Sequence, residues 1–341
     1  MLSALLFESG QFLQFSRQVP ESFEHAIHFE LPNGVKVDIT APGIIEFTPS
    51  TPWDKNIVLS CGVHGNETAP IEICDEFVQG LITGNIVPAQ RVMFLFANLP
   101  SMDIAERFVE ENMNRLFSGA HSQGPGLINS ERVRAKQLEQ AVERFFLSSP
   151  EKTARLHYDL HTAIRASKND KFAVYPFLHG KPHNKEQLAF LSACGVNTIL
   201  LSESPTTTFS YYSTHQFNAH GFTVELGKVK PFGENNMADF SAVIQSLKAL
   251  ITEKMPTFPE FSAEKTELFR VNQVINKQHD DFKLHFDDET PNFTDFKQGD
   301  VLASESGKEY LCEQDGEAIV FPNANVALGQ RALLTVVPTQ L

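Results

Sequence analysis

Cysteine is scarce in this chain. Its four cysteines, Cys61, Cys74, Cys194 and Cys312, stand far apart and none falls in a CxxC spacing. That excludes a disulfide scaffold or a cysteine-built metal site, and it suits buried free thiols in a reducing compartment. Tryptophan is scarcer still, at one residue against five tyrosines, while phenylalanine reaches 29, a balance that fits core packing and no aromatic binding surface. Positive charge is also in short supply. Lys and Arg number 28 against 42 Asp and Glu, a formal net charge of −14. Such a surface repels phosphate backbones and anionic lipid, so no nucleic-acid partner is expected. It would repel an anionic small molecule at long range too, so capturing one requires a few local arginines. No run approaches the ~20 apolar residues of a membrane helix. The short apolar stretch at 2–7 has no basic flank and is broken by Glu8. The expectation is a cytoplasmic protein with no membrane partner. There is no glycine-rich phosphate loop, no internal repeat and no low-complexity tract.

What is present is ordinary core-forming material, 42% apolar and 21% charged, over 341 residues. That length exceeds the usual single core, so one large domain and a smaller one are expected. Residues 1–50 read as a β-rich lead-in, with alternation at 36–40. From 57 onward strand and helix patterns alternate. The apolar run 57–63 is followed by a helical period over 70–81, with Ile71, Cys74, Phe77, Val78 and Leu81 on one stripe. A buried-type strand at 92–97 precedes a charged helix over 130–147. Further strands are predicted at 156–160, 172–175, 198–201 and 221–226, then a helix at 236–251. The fold class is α/β, a mixed central sheet flanked by helices. Prolines 256 and 259 mark a linker. Beyond it short strands at 268–275, 301–303, 318–320 and 332–337 form a small β-rich C-terminal domain. The domains are read as 1–255, catalytic, and 260–341, β-rich.

The chemistry is carried by strand ends, where open α/β sheets bind ligands. The hexapeptide GVHGNE at 62–67 places His64 and Glu67 three positions apart, directly after the apolar run 57–61. His161 ends the run 156–160. Two imidazoles and a carboxylate are the ligand set of a hydrolytic zinc site that keeps its fourth position open. A lone His-x-x-Glu is weak: another occurs at His183 and Glu186, and a His-x-x-Asp at His285 and Asp288. The first of these reads as helix capping and polar surface. His64 and Glu67 could likewise only hydrogen-bond within a loop, but Gly62 and Gly65 flank them and permit a tight turn and close approach of a ligand. Asp159 and His161 share a strand face, so Asp159 can orient the imidazole. His157 points the same way and competes for the ligand role, although its position inside the strand suits a core histidine. Glu225, alone among apolar residues in GFTVELG at 221–227, is costly unless paired or functional. An apolar setting would raise its pKa and suit proton transfer, whereas the bland alternative is an exposed edge carboxylate. Arg107, Asn114 and Arg115 lie on one long loop, and Arg165 follows His161. Arginines can grip a carboxylate or oppose charge on a carbonyl oxygen, or can simply be solvated.

Taken together, GVHGNETAP at 62–70, Asn114 with Arg115, DLHTAIR at 159–165 and VELG at 224–227 resemble the succinylglutamate desuccinylase/aspartoacylase family, a branch of the zinc carboxypeptidase superfamily. The matches keep the family's order across about residues 57–230, and a C-terminal β domain fits as well. The resemblance implies a zinc carboxypeptidase-like fold with one Zn²⁺ per subunit on His64, Glu67 and His161, and Glu225 as general base and acid. It also implies that Asn114 and Arg115 bind the acyl-side carboxylate. Arg107, carried over by its spacing from Arg115, would polarise the scissile carbonyl. The activity it implies is hydrolysis of N2-succinylglutamate, a small anionic N-acyl amino acid, to succinate and glutamate, the closing step of the arginine succinyltransferase route. One alternative is an aspartoacylase-like amidohydrolase acting on another N-acyl amino acid. Another is a non-catalytic zinc- or metabolite-binding protein, which leaves Glu225 unexplained. A peptidase fits less well, because the interval from Glu67 to His161 is shorter than carboxypeptidases lead one to expect. Co²⁺ and Mn²⁺ accept similar ligands, so residue types alone do not select the metal.

Overall fold

Helix, not strand, opens the chain. The computed structural model describes residues 2–341 and begins with α1 (Leu2–Ser9) and α2 (Phe12–Gln18), followed by a 3₁₀ turn at Pro20–Phe23. This corrects the β-rich lead-in expected across 1–50. Leu6, Phe12 and Leu13 are buried in the main core beside the helix that follows the first central strand, so tertiary packing supports two helices too short to persist alone. Strands begin only with β1 (Ile27–Glu30), β2 (Lys36–Ala41) and β3 (Ile44–Thr48), an antiparallel meander.

The central unit then builds as β4 (Lys55–Cys61), α3 (Thr68–Ile82), β5 (Arg91–Phe96), α4 (Leu99–Asp103), α5 (Ser130–Leu147), β6 (Ala154–Ala163) and β7 (Phe172–Tyr175). It continues through α6 (Lys185–Ala193), β8 (Thr198–Leu201), α7 (Phe209–Phe217), β9 (His220–Lys228) and α8 (Ser241–Thr252). Strands β5, β4, β6 and β9 lie side by side and parallel. Their side chains are buried on both faces, which explains the continuous apolar runs. One face packs Ile57, Leu59, Tyr158, Leu160, Phe222 and Val224 with α3, α6 and α8. The other packs Val58, Met93 and Leu95 with α5 and α7.

The chain leaves β4 toward β5 on one side and returns to β6 on the other. Such a reversal opens a crevice at the carboxyl ends of the strands. The parallel register pairs Ser60 with Asp159 and His161 with Glu225 across β4, β6 and β9. It thereby brings three segments distant in sequence to one edge of the sheet.

The C-terminal segment is β-rich: β10 (Glu267–Asn276), β11 (Lys283–Leu284), β12 (Thr294–Phe296), β13 (Val301–Glu305), β14 (Lys308–Leu311), β15 (Glu317–Val320) and β16 (Arg331–Pro338). Strands β11, β13 and β14 form a small separate sheet. The others extend the main one. Strand β10 pairs parallel to β8, so a single 13-stranded sheet runs through both parts of the chain. A further apolar cluster, including Phe172, Leu200, Phe293, Val320 and Val336, seals that junction. No helix among the described residues is long and apolar enough to cross a membrane.

Candidate active site

Glycine shapes the turn that delivers the first two site residues. After the buried strand β4, Gly62 adopts φ +64°, and a Cβ there would lie 2.1 Å from Met102 Cε. At Gly65 a Cβ would lie 2.2 Å from the Ser101 carbonyl carbon. Only glycine lets this turn press against α4. His64 and Glu67 are thereby held inside the protein, 2% and 3% exposed, at the entrance to α3. His161, 1% exposed, reaches the same place from the end of β6, and a β-bulge follows it at once.

One donor atom from each of His64, Glu67 and His161 lies within 4.8 Å of the others. His64 Nδ1 and Glu67 Oε1 are 2.8 Å apart, yet His64 Nδ1 forms no hydrogen bond among the described residues. Two acceptors pointing into one space without bonding each other is the arrangement a cation between them would satisfy. The opposite ring nitrogens set the tautomers. His64 Nε2–H donates to Asn112 Oδ1 at 3.0 Å, and His161 Nε2–H donates to Asp159 Oδ2 at 2.9 Å. Both Nδ1 atoms are left facing the centre. A set of two imidazoles and a carboxylate, buried and oriented from behind, fits zinc.

Electrostatics agree with that fit. Burial, with Arg107 adding to it, lowers His64 to about 4 and keeps its imidazole neutral. Burial pushes Glu67 upward, but the two imidazoles and their hydrogen bonds outweigh it and hold Glu67 well below the usual carboxylate range. Burial likewise opposes His161, and Asp159 and Glu67 overcome it, raising His161 well above an ordinary imidazole. In the metal-free protein its Nδ1–H donates to Glu67 Oε2 at 2.8 Å. A cation would replace that proton.

Behind His161 runs a buried hydrogen-bond chain. Ser60 Oγ donates to Asp159 Oδ1 at 2.5 Å, His157 Nε2–H donates to Ser60 Oγ at 2.8 Å, and Ser213 Oγ donates to His157 Nδ1 at 2.7 Å. His157, the competing ligand candidate, is therefore a bonded core histidine outside the cluster. The decoys also lie elsewhere: His183 packs on the Tyr175 ring and His285 bonds Ser304. Arg165, which had no evident partner in sequence, donates to the Thr290 carbonyl and ties the loop after β6 to the C-terminal segment.

Glu225 is buried on β9, in register with His161, and its Oε2 has no hydrogen-bond partner among the described residues. Burial, reinforced by Glu67, raises it to about 7. Arg107, 32% exposed, reaches in to pair with Glu67 Oε1 at 2.7 Å. Asn114 is buried with Oδ1 unpartnered among the described residues, and Arg115 donates to the Asn114 carbonyl at 3.2 Å. Two orienting side chains escaped sequence reasoning. Asn112 both caps the 3₁₀ turn Met113–Arg115 and accepts the hydrogen bond from His64 Nε2–H, and its only local signal was the capping residue type. Ser60 carried no signal at all.

Residues 54–251 match the model of the succinylglutamate desuccinylase/aspartoacylase catalytic domain, and residues 264–339 match the AstE/AspA barrel-sandwich hybrid domain. The chain belongs to the succinylglutamate desuccinylase/aspartoacylase family. Among its relatives in that family is the succinylglutamate desuccinylase of Pseudoalteromonas atlantica, 56% identical over 98% of this chain and 96% of that protein. Two solved structures are similar throughout. The succinylglutamate desuccinylase of Chromobacterium violaceum gives a TM-score of 0.86 at 38% identity, over 98% of this chain and 99% of that one. The Vibrio cholerae enzyme of the same name gives 0.87 at 34%, over 96% and 94%. The carboxypeptidase-like α/β fold and the β-rich C-terminal domain expected from the motifs are those of the family. All four cysteines are free and buried.

Proposed function

We propose that this protein hydrolyses N2-succinylglutamate to succinate and glutamate, the last step of arginine breakdown by the succinyltransferase route. The observation that carries the hydrolytic reading is Glu225, a buried carboxylate with an unpartnered oxygen beside the His64, Glu67 and His161 cluster. The choice of substrate rests on the relatives, whose names specify the succinylglutamate amide.

One Zn²⁺ per subunit, held by His64, Glu67 and His161, would supply Lewis acidity toward the amide carbonyl and acidify water. Glu225 takes a proton from the attacking water and passes it to the amide nitrogen as the C–N bond breaks. Water adds across that bond, its oxygen going to the succinyl carbon and its hydrogens to the glutamate amine and solvent. A carboxyl group raised to about 7 can both accept and return a proton near neutrality. Arg107 opposes the negative charge that develops on the carbonyl oxygen. Asn114 and Arg115 bind the acyl-side carboxylate, which an acidic protein of net charge −14 must capture locally.

Residues 1–255 form the catalytic domain in this reading, and 260–341 a domain that limits access to long chains. A cytoplasmic setting suits four unpaired buried thiols. The test is succinate release from succinylglutamate by protein of measured metal content, with N-acetylaspartate in parallel. Release from succinylglutamate with stoichiometric zinc is the expected result; no release, or preference for N-acetylaspartate, overturns the reading.

A further inference from the structure

Four buried polar side chains stand in a row behind His161. Ser60 on β4 is the register partner of Asp159 on β6, and His157 lies two residues before Asp159, so the three share one face of the sheet. Helix α7 packs on that face and contributes Ser213. Ser60, His157, Asp159 and Ser213 are each 0% exposed. Their surroundings are apolar: Val58, two residues before Ser60 on β4, lies in one cluster with Phe209 and Tyr212 of α7. Burying hydroxyls and an imidazole in such a place costs free energy unless every one is bonded, and a half-satisfied set is worse than apolar packing. The proposed reaction uses none of Ser60, His157 and Ser213.

The hydrogens of this row can be placed one after another. A carboxylate only accepts, so the single hydrogen of Ser60, whose Oγ lies 2.5 Å from Asp159 Oδ1, points to Asp159. Ser60 then has none left for His157 Nε2, 2.8 Å away, and that nitrogen is the donor. Burial lowers His157 to about 4, so the ring is neutral near neutrality and its Nδ1 carries no hydrogen. Nδ1 accepts from Ser213 Oγ at 2.7 Å. Every hydrogen in the row therefore points toward Asp159. From the other side His161 Nε2–H donates to Asp159 Oδ2 at 2.9 Å. Asp159 is gripped at both oxygens, from β4 and from β6, and any turn of its carboxylate away from His161 would forfeit the bond to Ser60 as well. Hydrogen bonds to an ionised group are the strong ones, and successive donors polarise one another. The His157 ring is itself fixed edge-on against Phe209, with centroids 4.7 Å apart and planes at 88°.

We propose that Ser60 and His157 are positioning residues for the cluster: by pinning the Asp159 carboxylate they keep His161 Nε2 bonded from behind and His161 Nδ1 turned toward His64 and Glu67. The inference rests on the reading of His64, Glu67 and His161 as metal ligands. It gives a use to three polar side chains that core packing alone leaves costly.

The test is the zinc affinity of the full-length protein, measured by chelator competition for wild type, Ser60→Ala, Asp159→Asn and the double variant. Ser60→Ala should weaken zinc binding about 10-fold, the lower end of what a residue behind a ligand contributes. In the Asp159→Asn background the same change should cost less than about 3-fold, because Ser60 acts through Asp159. Equal penalties in the two backgrounds would mean a general loosening of the core, and no penalty in either would mean no role; both results overturn the proposal. Should Ser60→Ala not fold, His157→Leu, which takes the donor from behind Ser60, goes through the same cycle with the same criteria. Ring-nitrogen NMR spectra of the metal-free protein give a second readout. Ser60→Ala should shift Nε2 of His161 and leave Nε2 of His64, which bonds Asn112 instead, unmoved. Shifts of equal size at both rings, or none at His161, overturn the proposal. If wild type takes up no zinc, the ligand reading falls instead, and these spectra still decide whether Ser60 acts on His161 through Asp159.

Discussion

At the metal end of the site Glu67, His161 and Asp159 are joined by hydrogen bonds, whereas at the arginine end Arg115 has no carboxylate partner among the described residues. The difference follows from the chemistry of the groups. A buried carboxylate without a partner escapes its desolvation cost by taking up a proton, as Glu225 does at about 7. A guanidinium has no such escape near neutral pH, since even Arg115, lowered to about 10 by burial and then by Arg107, remains charged. The protein can therefore leave arginines charged and waiting for substrate. Its acids must be either matched, as Glu67 and Asp159 are, or protonated until needed.

The comparison breaks most decisively at the cluster itself. His161→Ala should lose both metal and detectable succinate release, as measured by elemental analysis and assay of the same sample. Retention of stoichiometric metal would show that the three side chains are not the ligand set. Next in size is Glu225→Gln, which should lower kcat by about 10²- to 10⁴-fold, the usual contribution of a positioned acid–base group, while metal stays bound. A variant that keeps its rate would remove Glu225 from the mechanism. Asn112→Ala and Asp159→Asn sharpen the picture from behind the ligands. Each should weaken metal binding by about 10- to 100-fold in chelator competition. Unchanged affinity in both would mean that ring orientation does not matter here.

The smallest effect concerns stability and pH. Glu225 is raised from 4.5 to about 7 in the folded, metal-free protein, chiefly by burial and then by Glu67. The folded state therefore binds this proton more tightly than the unfolded chain. The favourable contribution is complete below about 4.5 and is lost as pH rises through about 7. Glu225→Gln removes that loss. It should raise the melting temperature of the metal-free protein by a few degrees at pH 8, relative to any change seen at pH 4. Equal shifts at the two pH values would show that the carboxyl group is not strained by its surroundings.

Much of the sheet could be read from local pattern. Strands β7 and β8 and helix α5 coincide with the expected segments 172–175, 198–201 and 130–147. Their signals, apolar runs and a helical period, act within a few residues. The two N-terminal helices could not be read this way, because α1 and α2 owe their form to the core they cover. Nor did the Pro256 and Pro259 linker reveal that β10 would join β8 in one sheet. Strand pairing across such a distance is not encoded in either strand alone.

The same division runs through the site. The amino-acid sequence by itself determined which residues stand out: His64, Glu67 and His161 are polar groups at the ends of apolar runs and Glu225 is alone within one, where burial costs free energy unless the group is paired or functional. Tertiary structure alone decided that Asn112 orients the His64 ring, and that Ser60 on the neighbouring strand links Asp159 to His157 behind His161. These are matters of register and long-range packing. A residue's type announces what it can do, but its partners are chosen by the three-dimensional path of chain segments that carry no local mark of one another.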